Sequence, residues 1–449
     1  MFLPNHSRRQ QGRTNRQQRR SKCAPLNATT RRYAPAIASL STVALGLTLS
    51  GCGGGSGGGV GDAPASFSPA ATYRVSGAGA VAEIVAASPD GRTLVYTDSE
   101  TPELGFVDIT NASAPVELGK LALNGEPTSV SFTPDGKFAL AVVNDAPGKL
   151  LIINMTTRAV LRTINLNGQP DCISVSPDGR YAAIAIENER ADEDAPLPQA
   201  PAGFMVILDM VGEPEAWTTR NVSFAGRTGL RFASDPEPEF IDINAQNRAA
   251  VTLQENNAIA IVNLATGAVE RTFSAGTVTH AADTKDDGKV AFTDQIVNSR
   301  REPDAIAWTP GGNLITANEG DYDADLNDGQ FTGGRGFTVF SPTGTVLFDS
   351  GVSLEQEVAK AGFYNDSRSD NKGTEPEGVE IGRYNGRTFA FIGLERGNCV
   401  AVYRLDNESS PQFVQILPTG QSPEGLLAIP SRNLFVTANE GNGTISIFK

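Results

Sequence analysis

Six acidic residues occupy one repeated position of this chain: Glu83, Asp171, Glu239, Asp304, Glu377 and Glu424. Each stands two residues before the apolar anchor of a β-type run, and Pro precedes five of the six. The seventh matching position holds Thr128. A second set recurs at the far end of the next run, as Asp98-Ser99-Glu100, Asn144-Asp145, Glu187-Asn188-Glu189, Glu255-Asn256, Asn318-Glu319, Glu395-Arg396 and Asn439-Glu440. Oxygen donors of these types suit a hard divalent cation such as Ca²⁺. The candidate ligands are Asp304, Asn318, Glu319, Asp321, Glu377, Glu395, Glu424 and Glu440, with Glu83, Asp171 and Glu239 completing an acidic ring. The same residue types also suit solvated turns, so a cation site and a merely charged rim both stand open.

Asp321, Asp323 and Asp325 have the D-x-D-x-D spacing that begins a calcium loop. Leu326 sits where the turn glycine belongs and Thr332 where the bidentate Glu belongs, so this is not an EF-hand. Arg368, Lys372 and Arg396 are candidates to meet an anionic substrate, or else to bridge the carboxylates beside them. Beyond the leader described below the chain has one histidine, His280. Any Ser-His-Asp or Cys-His mechanism would hang on it, and no G-x-S-x-G turn accompanies it. No phosphate loop ending G-K-S/T appears, so no nucleotide cofactor is expected. An enzyme built on this chain would use carboxylates and a metal.

The elements that must position these groups repeat. Turns of the form S/T-P-D-G occur at 88–91, 133–136 and 176–179, with a relative, Thr-Pro-Gly-Gly, at 309–312 and weaker forms at 244–247, 383–386 and 429–432. Pro presets φ and Gly takes the positive φ, and each turn joins two short β-type runs, a hairpin signal. Seven units follow, with first strands near residues 84, 129, 172, 240, 305, 378 and 425. The predicted fold is all-β, a seven-bladed propeller of four-stranded blades over residues 71–449. A bare blade takes ~40–45 residues, so the excess forms insertions at 190–203, 212–237, 275–301, 320–336 and 351–375. The last unit lacks a fourth strand, and residues 72–76 form an orphan strand ahead of the first. Residues 72–76 are therefore expected to complete the last blade and remove its open edge.

Residues 1–51 carry nine Arg/Lys and no acid, then an apolar run from Ala36 to Leu49. This is the form of a secretory signal, and Leu49-Ser50-Gly51-Cys52 resembles a bacterial lipobox. The resemblance implies cleavage before Cys52, a lipid on its sulfur and attachment to a membrane; an ordinary signal or a retained anchor is the other reading. Gly53 offers no inner-membrane retention residue, so the cell envelope, with the outer membrane, is the expected location. Residues 52–70, Gly-rich from Gly53 to Gly59, are expected to be a flexible tether. Without the nine leader bases, 28 Lys/Arg of 37 remain against 51 Asp/Glu, a net charge of about −23. So acidic a body does not suit nucleic acid, whose phosphates demand Lys and Arg. It suits cations or cationic partners. Cys172 and Cys399 lie in distant repeats and are expected to be separate thiols.

Several ordered segments resemble the choice-of-anchor I family, whose eukaryotic relatives are called mesenchyme-specific cell surface glycoproteins. They are Asp286-Asp287-Gly288-Lys289, Glu302-Pro303-Asp304-Ala305-Ile306-Ala307, Thr316-Ala317-Asn318-Glu319-Gly320-Asp321, residues 367–379 (S-R-S-D-N-K-G-T-E-P-E-G-V) and Gly393-Leu394-Glu395-Arg396. The resemblance implies an extracytoplasmic propeller fixed by a variable anchor; some members carry an alkaline phosphatase label, and the family offers no agreed catalytic residue. Two functions are expected from these observations. One is a lipid-anchored binding module presenting the acidic mouth to a small-molecule or protein ligand. The other is a metal-dependent phosphoester or lactone hydrolase using the same face.

Overall fold

A computed structural model describes residues 66–188, 198–319 and 333–449. Cys52, the leader, most of the tether and Asp321 with its loop lie outside the described residues. Seven four-stranded antiparallel sheets are arranged as a β-propeller, with a separate two-stranded hairpin inserted between the fourth and fifth. Blade 2 shows the unit: Glu126–Phe132, Phe138–Asn144, Lys149–Asn154 and Ala159–Asn165, paired in chain order. Its second strand is buried along all but its ends, whereas its fourth is largely exposed. That difference follows from radial position. Middle strands are covered on both faces by neighbouring blades and read as near-continuous apolar runs, while the outermost strand faces water.

Burial organises around the seams. Each pair of neighbouring blades shares one apolar cluster; Val95, Phe106, Val130 and Ala141 join blades 1 and 2, and Ile259, Ile306, Leu314 and Phe340 join blades 4 and 5. The turn glycines serve these seams. Gly91 has φ +68°, and a Cβ there would lie 2.6 Å from Ile429 Cγ2 of blade 7. Ser88 Oγ donates to Asp90 Oδ1 at 2.6 Å and the same oxygen accepts from Arg92 N, which fixes the turn.

The ring closes as the repeat count requires. The added strand is Pro69–Arg74, three residues earlier at its start than expected, and it pairs with Thr444–Phe448. Ser68 and Lys449 extend the ladder with two reciprocal backbone bonds of 2.9 Å. Phe67 is buried edge-on against Tyr384, Phe389 and Phe391 of blade 6, and Gln415 bonds both its N and its O. Residues 67–70, expected in the tether, thus belong to the propeller. Cys172 and Cys399 are buried free thiols in blades 3 and 6. Among the described residues no helix is long and apolar enough to cross a membrane.

Truncating Phe67→Ala removes a buried ring at the seam that closes the propeller. The expected loss is about 3–5 kcal/mol, read as a lowered midpoint in denaturant unfolding.

Candidate functional site

The acidic residues are aimed by the backbone before any side chain acts. The first strands of blades 3, 4, 6 and 7 pair out of register just after their Pro: Pro170/Ile173, Pro238/Ile241, Pro376/Val379 and Pro423/Gly425. Asp171, Glu239, Glu377 and Glu424 occupy these irregularities. A bulge re-aims a side chain, and Pro, lacking an N–H, fits where the ladder is broken. A buried second-strand threonine takes up one freed donor: Thr97 Oγ1 accepts from Ile84 N, and Thr252 Oγ1 from Phe240 N, each at 3.0 Å. Glycine then lets adjacent first strands press together. A Cβ on Gly425 would lie 2.3 Å from Glu83 O, and one on Gly378 would lie 3.1 Å from Glu424 O.

The result is a carboxylate-lined mouth. Among the described residues three trios bring carboxylate oxygens within 4.8 Å of one another: Asp304, Glu319 and Glu377; Glu83, Glu424 and Glu440; Glu187, Glu237 and Glu255. The first two trios follow one rule, combining the first-strand acid of a blade, its second-strand acid and the first-strand acid of the next blade. Asp171 and Glu239 join the same field. Glu239 is held well above the ordinary carboxylate range by burial, then by Asp304, Glu255, Glu187 and Asp171. Burial likewise raises Glu377, reinforced by Glu395, Glu319, Glu424 and Asp304. Two oxygens on one calcium ion, each about 2.4 Å away, lie at most about 4.8 Å apart, so the trios fit a shared cation in spacing and donor type.

Other expected ligands serve different ends. Asn318 is buried; its Nδ2 donates to Thr338 Oγ1 and its Oδ1 accepts from Thr316 Oγ1, both at 2.8 Å, so its amide is spent inside the blade. Asn439 turns inward in the same way, onto Thr444 and Ser446. In each Asn-Glu pair the amide builds the blade and the Glu reaches the mouth. Glu395 lies 2.9 Å from Arg396, and its carboxyl is pushed up to about 7, chiefly by burial. In blade 2 Thr128 donates its hydroxyl to Pro170 O at 3.0 Å, and in blade 1 Asp98 accepts from Val81 N and Thr101.

The three basic candidates are ion-paired. Arg368 and Arg396 grip opposite oxygens of Glu375 at 3.0 and 2.9 Å, and Lys372 bonds Glu319. Although burial would push Glu375 up, Lys372, Arg368 and Arg396 hold it below the ordinary range. Sequence reasoning missed Glu375, yet a signal was present: Glu237-Pro238-Glu239, Glu302-Pro303-Asp304 and Glu375-Pro376-Glu377 repeat one tripeptide. In each, the acid before Pro is almost fully buried. Glu302 pairs with Arg300 and Arg231, and both Glu302 and Glu375 sit at positive φ, +45° and +52°. The acid after Pro faces the mouth. Three insertions hold the basic groups in place through Arg335, fully buried, which donates to the carbonyls of Asp283 and Ser369. Both ring nitrogens of His280 lie against carbonyl oxygens, Ala281 at 2.8 Å and Gly334 at 3.0 Å.

The model of the choice-of-anchor I domain matches residues 83–331 and 323–408. The chain belongs to the choice-of-anchor I family. Domains of this family are typically found in extracellular or cell-envelope proteins. The chain is similar in structure to Kuenenia stuttgartiensis hydrazine synthase, at 15% identity and TM-score 0.54, over 82% of this chain and 94% of that one. It is also similar to the Cps50 (Swd1) β-propeller domain of Myceliophteria thermophila, at 10% identity and TM-score 0.56, over 85% and 99%. At such identities the likeness is one of fold. No curated protein matches the chain.

Deeper along the first strand of blade 6, Glu380 accepts from Ala428 N at 3.2 Å, and burial pushes its carboxyl up to about 8. An unfolded-chain Glu titrates near ~4.3. Between these values the folded protein holds a proton that the unfolded chain has lost, so stability is full below the lower value and falls as pH rises through the upper one. Melting temperature is therefore expected to fall from about pH 5 to about pH 8, and Glu380→Gln to flatten that slope in thermal scans.

Proposed function

We propose that this choice-of-anchor I propeller is an envelope binding module, lipid-anchored through Cys52, whose acidic mouth takes up a divalent cation and through it, or beside it, a ligand. The recurrence of one carboxylate arrangement at two blade junctions carries this reading: Asp304, Glu319 and Glu377 at one, Glu83, Glu424 and Glu440 at the other. Charges so placed raise one another's proton affinity, and a hard cation offsets that repulsion. Ca²⁺ is the first candidate because all the donors are oxygens. The hydrolase reading draws less support. Arg368, Lys372 and Arg396, which would have held an anionic substrate, already bond Glu375 and Glu319. The resemblance of Leu49-Ser50-Gly51-Cys52 to a lipobox, followed by Gly53, supports the outer membrane as the location in an envelope that has one.

Adding Ca²⁺ or Mn²⁺ to the purified protein is expected to raise its melting temperature, with about 2.7 kcal/mol gained at a hundred times the dissociation constant. Glu424→Gln and Glu377→Gln are each expected to remove a large part of that gain. A melting temperature unmoved by either ion would refute the cation site. Phosphoester or lactone turnover that requires the ion and vanishes in Glu377→Gln would favour the hydrolase.

A further inference from the structure

The direction in which the chain enters the ring bears on how the mouth is presented. Each first strand starts at the mouth and ends at the S/T-P-D-G turn, so those turns define the opposite face, the base. In blade 7, Pro423–Ile429 runs from mouth to base, Leu434–Asn439 returns to the mouth beside Glu440, and Thr444–Phe448 descends again. The closing strand Pro69–Arg74 is antiparallel to this last strand: Pro69 lies opposite Phe448 and Arg74 opposite Thr444. Ser68, bonded to Lys449, is therefore at the base. Arg74 ends at the mouth, where Val75 N donates to Gly443 O. The chain comes in from the base and reaches the acidic face only after crossing the whole blade.

From these strand directions we infer that the anchored propeller stands with its base toward the bilayer and its carboxylate mouth turned away from it. The inference rests on the lipid-anchor reading of Cys52. Only 13 residues, Gly53 to Ala65, separate Cys52 from the first described residue, and a Gly-rich chain of that length spans about 20 Å root-mean-square. A strand of six residues is itself about 20 Å long, so a propeller standing mouth-down would hold the chain's point of entry, at the base, at least that far from the bilayer. Charge acts in the same sense. The three S/T-P-D-G turns balance acid with base as Asp90/Arg92, Asp135/Lys137 and Asp178/Arg180, whereas the mouth gathers nine carboxylates in its three trios. An anionic bilayer repels the second face more than the first. The mouth's partner is then a cation or a basic protein segment arriving from the aqueous side, and not a headgroup of the same membrane.

The test uses full-length lipidated protein in phosphatidylethanolamine–phosphatidylglycerol vesicles bearing a headgroup quencher. Single fluorophores are placed by Asn111→Cys, exposed at the base, or Gln421→Cys, exposed at the mouth. Cys172 and Cys399 are buried and leave the new thiol as the reactive one. The base label is expected to be quenched several-fold more than the mouth label. Vesicle-bound protein with equal quenching at the two sites, or more at the mouth, overturns the orientation and leaves the anchor standing. Protein that does not partition into vesicles, or a Cys52→Ala protein that partitions as well as the parent, overturns the anchor and the orientation with it.

Discussion

Crowding of like charge around one axis is the constraint to which the rest of this structure answers. A propeller brings the starts of its inner strands together, and here most of those starts are acidic. Glu377 and Glu239 each feel three or more other carboxylates. In the sector of blades 5 and 6 that repulsion is met by half-buried arginine clamps on the buried Glu375 and by Lys372 on Glu319. Such buried pairs contribute little net stability over apolar packing. Their effect is geometric, since breaking one leaves a buried charge uncompensated. At 302–304 and 375–377 the E-P-acid tripeptide divides the labour: one carboxylate is fixed inside by arginine and the next is presented at the mouth.

Lys372 has a second bearing on the cation reading. Its ammonium lies on Glu319, one member of the trio between blades 5 and 6, and Glu319 and Glu375 keep it charged despite its burial. A divalent ion at that junction competes with a cation supplied by the chain itself. The blade 7–1 junction is framed differently, by Gly425 and the close approach of Glu83 O. The two junctions share a carboxylate arrangement without sharing an electrostatic setting.

The fold was legible because turn chemistry and apolar runs repeat at a spacing that only a few architectures accept. The seven first strands lie where the aligned turns put them, and the orphan strand pairs where the missing one was needed. Its start is not legible, because the alternating run begins only at Thr72, while Phe67 is an isolated aromatic whose partners are more than 300 residues away. The mouth was legible in outline for the same reason, since strand starts in a propeller converge. Individual roles were not. Asn318 and Glu319 are adjacent and both oxygen-bearing, and only the pleat, with Thr316 and Thr338 facing the amide, sends one inward. The role of Glu375 is not legible in the sequence because its burial depends on Arg368 and Arg396, one of them in a separate strand connection.

The closing blade borrows its outer strand from the other end of the chain, and this orders events in time. Residues 69–74 emerge early from any ribosome or export channel, but the strand they need spans 444–448. For nearly the whole of synthesis they have no ladder to join. Blades 1 to 6 can each assemble locally, whereas the annulus itself remains an open arc until the final strand arrives. In a chain of this design the ladder between first and last strands forms only after everything between them has been made.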